Sequence, residues 1–125
     1  MPVEIDDTTF NQMVADAIDA IPEEHGINVK NVAFVVEDYP NEEQMKQLNL
    51  RHRYALFGLF QGTPRTQRST NAPVALPDKI TIFKQPLVSA SHTIEELKAK
   101  VYNTVWHEVA HYFGLDHDQI SRLER

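Results

Sequence analysis

The stretch "SHTIEELKAKVYNTVWHEVAHYFGLDHD", Ser91 to Asp118, decides how this chain is read. Ser91 or Thr93 can accept the first free N–H groups of a helix, Glu95 and Glu96 suit its positive end, and Gly114 is a natural stop. At helical spacing Ile94, Leu97, Val101, Val105 and Tyr112 gather on one side, with Val109 beside them. His107 and His111, four residues apart, project together at the edge of that stripe, and Glu108 falls within it. A carboxylate facing a core is costly unless it is paired or serves a site. The helix thus gives part of its packing face to one acid flanked by two imidazoles, a poor core and a good metal site.

The chemistry accounts for the spacing. Zinc accepts imidazole nitrogens at roughly 2.0–2.1 Å in a tetrahedral arrangement. Two histidines at i and i+4 can offer nitrogens to one ion, and the glutamate after the first then faces the water on that ion. Zinc lowers such a water's pKa towards about 7, and a carboxylate within reach can take its proton and return it to a leaving amine. The pattern extends through His107, Glu108, His111, Gly114, His117 and Asp118. If the chain turns back after Gly114, His117 or Asp118 can approach the metal. A neutral imidazole keeps the charge of the site higher, so His117 is the expected third ligand. Asp118 is the alternative ligand or a support that orients a histidine.

Working outward, the strand "DKITIFKQP" (Asp78–Pro86) alternates, with Ile80, Ile82 and Lys84 on one face and Thr81 and Phe83 on the other. "NVAFVVED" (Asn31–Asp38) reads as a buried strand and "NEEQMKQLNL" (Asn41–Leu50) as a short helix. Asp7, Thr8 or Thr9 can cap a helix carrying Phe10, Met13, Val14, Ala17, Ile18 and Ile21, with Pro22 and Gly26 punctuating its end. "YALFGLFQG" (Tyr54–Gly62) fits either strand or loop, and Thr63–Pro73 reads as an exposed loop. The order α, β, α, β, β, long α predicts an α+β fold, a small mixed sheet packed on helices, in a single domain over residues 1–125.

Composition narrows the chemistry. The chain has no cysteine, so any metal is held by His, Asp or Glu. The N-terminus "MPVEIDDTTF" has no basic segment followed by an apolar run, and no stretch approaches membrane-spanning length, so the expected address is the cytoplasm. The net charge of −6 is uneven. Residues 1–50 carry eleven acids and two bases, residues 51–84 one acid and six bases, and residues 85–125 six acids and four bases. Arg65 and Arg68 in the basic middle could fix a carboxylate of a substrate if their loop borders a cleft. His25, His52 and His92 have no matched partners in the sequence and carry no expected role.

The stretch His107–His117 resembles the zincin metallopeptidases, and its His-x-x-Gly-x-x-His continuation is similar to the metzincin pattern. That resemblance implies His107, His111 and His117 as zinc ligands and Glu108 as general base. The residues after His117, "DQISRLER", hold no methionine, a departure from the methionine turn of metzincins. A closer resemblance is to the small bacterial zincin-like metallopeptidases, through "LFGLFQGTP", "PDKITIFKQP" and "HEVAHYFGLDHD". It implies a minimal zincin fold whose strand before the active-site helix lines the cleft, with peptide or protein as substrate. The His-x3-His-x5-His spacing and "GLDH" also resemble the metal-dependent endoribonucleases of ribosomal RNA maturation. Those proteins have glycine where this chain has Glu108, and the acidic net charge makes nucleic acid an unexpected partner. A metal-binding module without activity is the third reading.

Overall fold

Local capping signals set the start of three of the helices. The computed structural model describes residues 3–25, 32–62 and 78–112, and the side chains of all of these but 22–25. Helix α1 (Asp7–His25) begins where the Asp6 carboxylate accepts the Thr9 N–H at 2.7 Å. The cap is therefore Asp6, just ahead of the Asp7–Thr9 group expected to supply it. The helix also runs past Pro22, where the sequence placed its end. A proline inside a helix removes one backbone hydrogen bond and crowds the preceding turn, a cost that this helix carries.

Strand β1 (Val32–Glu37) leads to α2 (Glu42–Gln47), which opens on a capping box. The Asn41 side chain accepts the Gln44 N–H at 2.7 Å, and the Gln44 side chain accepts the Asn41 N–H at 2.9 Å. The ambiguous apolar run contains strand β2 (Gly58–Gln61). Strand β3 (Asp78–Phe83) is shorter than the expected Asp78–Pro86, because Lys84–Ser89 forms a short helix, α3. Pro86 lies in its first turn, where no N–H has an intrahelical acceptor to lose. Lys84 therefore leaves the strand, and its buried ammonium contacts the Asp7 carboxylate on α1.

Helix α4 (Ile94–Tyr112) is capped by Thr93, whose hydroxyl accepts the Glu96 N–H at 3.0 Å. Ser91, the other cap considered, donates instead to the Leu87 carbonyl at 2.8 Å. Gly114, the expected stop, lies outside the described residues.

The sheet has the order β1-β3-β2, with β1 parallel and β2 antiparallel to β3. The register puts Phe34 and Phe60 on either side of Ile80, and Val36 and Gly58 on either side of Ile82. This face meets α1 and α4 in one core with Phe10, Val14, Leu97, Val101, Val105 and Trp106. Each such side chain stabilises the fold by about 1.5–3 kcal/mol when fully buried. Being central, β3 also buries Thr81 and Phe83 on its opposite face. The fold is α+β: a small mixed sheet packed on helices. No helix among the described residues is long and apolar enough to cross a membrane.

Two glycines shape β2. Gly62, at φ 146°, ends the strand in a conformation that L side chains seldom adopt, and any Cβ there would run into the Asp78 carboxylate. At Gly58 the constraint is space. A Cβ would lie 2.7 Å from Thr104 Cγ2 and 3.1 Å from Glu108 Cγ, so only glycine lets β2 descend this far onto α4. Gly58→Ala should therefore destabilise the protein by about 1–3 kcal/mol. Thr104→Ser removes the obstructing methyl and should recover part of that loss. Urea denaturation of both single variants and the double variant checks this, since strictly additive losses would contradict the contact.

Candidate metal centre

Among the described residues, the cleft is built where α4 passes beneath β2. His107 and His111 are half-buried, one turn apart, with ring centroids 4.7 Å apart and planes at 74°. Their Nε2 atoms are 3.1 Å apart. Two nitrogens bound to one tetrahedral zinc ion stand about 3.3 Å apart, so the pair already has close to the spacing that a shared ion requires. A proton can bridge the same gap when one ring donates to the other. Borderline nitrogen donors on a rigid helix, with no thiolate in the chain, fit zinc.

Glu108 lies between them in sequence and deeper in the fold, 8% exposed. Its Oε1 accepts the Phe60 N–H of β2 at 2.9 Å. Burial pushes its pKa up to about 7, and the Phe60 N–H only partly opposes this. Glu108 also lines two concavities. One, of about 410 Å³, runs towards the start of α4 and is bordered by Leu56, Gly58, Thr104 and His107. The other, of about 280 Å³, lies beside Leu59, Phe60, Gly62 and His111.

Strand β2 therefore lines the cleft, a correction to the expectation that the strand before the active-site helix does so. That strand is β3, which is hydrogen-bonded to a neighbour on each side and buried on both faces, so it has no edge to offer. The sequence reading also missed the Phe60 N–H, because a backbone donor leaves no mark on side-chain pattern. The glycine inside "LFGLFQG" was the available signal of close approach.

His117 and Asp118, the expected third ligand and its alternative, lie outside the described residues, as do Arg65 and Arg68. Among the described residues no group of three or more His, Asp or Glu could hold a metal ion. His52 and His92 are exposed.

The buried carboxylate has a consequence for stability in the metal-free protein. Its pKa rises from an ordinary 4.5 to about 7 on folding. Below about pH 4.5 the group is neutral in both states and contributes no penalty. Between there and pH 7 the folded state holds a proton that the unfolded chain releases, so stability falls as pH rises through that window. The full cost, on the order of 3 kcal/mol, is reached above pH 7. Denaturant melts of the metal-free parent and Glu108→Gln should therefore show the variant gaining on the parent between pH 5 and 7.5. A constant difference across that range would contradict the burial effect.

A family model for zincin-like metallopeptidases matches residues 29–125, which takes in every element from β1 to α4 and the whole of "HEVAHYFGLDHD". A search of curated proteins gives no match. The match covers more than three quarters of the chain, and within it the helix bearing His107, Glu108 and His111 packs against a small mixed sheet. The chain belongs to the zincin-like metallopeptidase family.

Proposed function

We propose that the protein is a zinc-dependent metallopeptidase that hydrolyses peptide bonds, with His107, His111 and His117 as metal ligands and Glu108 as general base. The supporting observation is the histidine pair, its Nε2 atoms 3.1 Å apart, beside a buried carboxylate that faces two concavities. Zinc, when bound, supplies a Lewis acid that polarises a carbonyl and acidifies a water.

The remaining work falls to the chain. His107 and His111 would hold the metal, and the helix between them fixes their separation. Glu108 takes the proton of the attacking water on its carboxylate, then gives it to the leaving nitrogen as the C–N bond breaks. The Phe60 N–H holds Oε1 and so orients the carboxylate for that transfer. Glu108 sits out of bulk water, which strengthens its interaction with developing charge. Asp118 supports a histidine ligand.

The purified protein should carry one zinc per chain by elemental analysis. His107→Ala or His111→Ala should lose most of it while α4 stays folded, because alanine favours helix. Glu108→Gln should keep the zinc and lose peptide hydrolysis by roughly 100-fold or more. In a chelator competition, His117→Ala should weaken zinc far more than Asp118→Asn. A double histidine variant as zinc-loaded as the parent would overturn the site. RNA cleavage that survives Glu108→Gln, with no peptide cleavage by the parent, would favour the endoribonuclease reading.

A further inference from the structure

The larger concavity has a chemical character of its own. Positions 100, 103, 104, 107, 108 and 111 of α4 form one continuous stripe, so the surface bearing the histidines continues towards the start of the helix. Lys100 lies seven residues before His107, about 10 Å along the helix axis. Leu56 and Phe57, ahead of β2, form the wall opposite this stripe, and Lys100 and Asn103 stand on the helix side. The volume of about 410 Å³ lies within the range of ligand pockets and has room for one long side chain and its waters.

Its far end carries donors, while the Glu108 carboxylate lines the end nearer the histidines. Lys100 offers three N–H donors and no acceptor, and Asn103 adds an amide NH₂. The Thr104 hydroxyl is already committed, donating to the Lys100 carbonyl at 2.7 Å. Glu96 lies one turn behind, its carboxylate 4.0 Å from the Lys100 ammonium, with both side chains more than a third exposed. Such a pair is weak and screened by water, so Lys100 can turn to a better-placed carboxylate. An anion inside the concavity, sheltered by Leu56 and Phe57, is better placed.

Resting on the peptidase reading above, we propose that this concavity is a specificity pocket for an acidic side chain beside the scissile bond. Lys100 and Asn103 receive its carboxylate, and Leu56 and Phe57 pack on its methylenes. A glutamate spans the distance between the reacting carbonyl and Lys100 better than an aspartate. Lys100 is here a positioning residue, since it touches the neighbouring side chain and no reacting atom.

The test uses short alanine-rich peptides, acetylated and amidated so that the side chain carries the sole carboxylate, with one Glu, Gln or Lys. Binding to the zinc-loaded Glu108→Gln protein is read by calorimetry, independently of turnover. The Glu peptide should bind about tenfold more tightly than the Gln peptide, as a charge-assisted contact implies, and the Lys peptide least tightly. Adding Lys100→Gln should level the Glu and Gln peptides, and Lys100→Glu should make the Lys peptide the best ligand. Equal binding of all three peptides, no binding of any, or a preference unchanged by Lys100→Glu overturns the pocket. If binding follows the expected order while the parent cleaves none of the peptides, the pocket stands and the peptidase reading fails.

Discussion

The closeness of β2 to α4 is the constraint on which the site depends. Gly58 leaves no Cβ between the strand and Thr104, and at that distance the Glu108 carboxylate reaches the Phe60 N–H. One contact therefore fixes the depth of the cleft, the orientation of the acid and its removal from water. A strand standing farther out would let water reach Glu108 and return its pKa towards that of an ordinary carboxylate. The register of β2 on β3 matters for the same reason. It sets Gly58 opposite Ile82 and Phe60 opposite Ile80, so shifting it by one residue would turn the glycine away from the helix.

Much of this was legible in the sequence, and the reasons differ by element. The long helix was readable because its apolar stripe, its Thr93 cap and its two histidines all follow one period, and local signals that agree are strong. The alternation of Ile80, Thr81, Ile82 and Phe83 marked a strand, and the core positions of α1 followed from helical spacing. Misreadings occurred where tertiary contact overrode local preference. The alternating pattern carries the strand on to Pro86, whereas a proline also suits a helix's first turn, and Lys84 opens that helix and meets Asp7. The β2 segment was ambiguous because four residues are too few to show a period.

In the site, side chains were legible and backbone was not. His107, Glu108 and His111 stand at spacings that only a helix brings together, so the motif itself predicted its own geometry. The Phe60 N–H belongs to a residue 48 positions away, and nothing in its identity marks it as a donor to Glu108. Nothing in the local pattern pairs Lys100 and Asn103 with a wall, because Leu56 and Phe57, which line the same concavity, are far away in sequence.

The ion pair between Lys84 and Asp7 joins residues 77 positions apart. It ties the first turn of α1 to the end of the central strand, while Phe10, Val14 and Ile21 close the core against the helix that carries the histidines. Yet α1 lies wholly ahead of residue 29, where the family match begins. The span that can be recognised by descent is thus smaller than the span that can fold. A fragment cut at the family boundary would keep every recognisable motif and lose the α1 side chains that complete the core against α4.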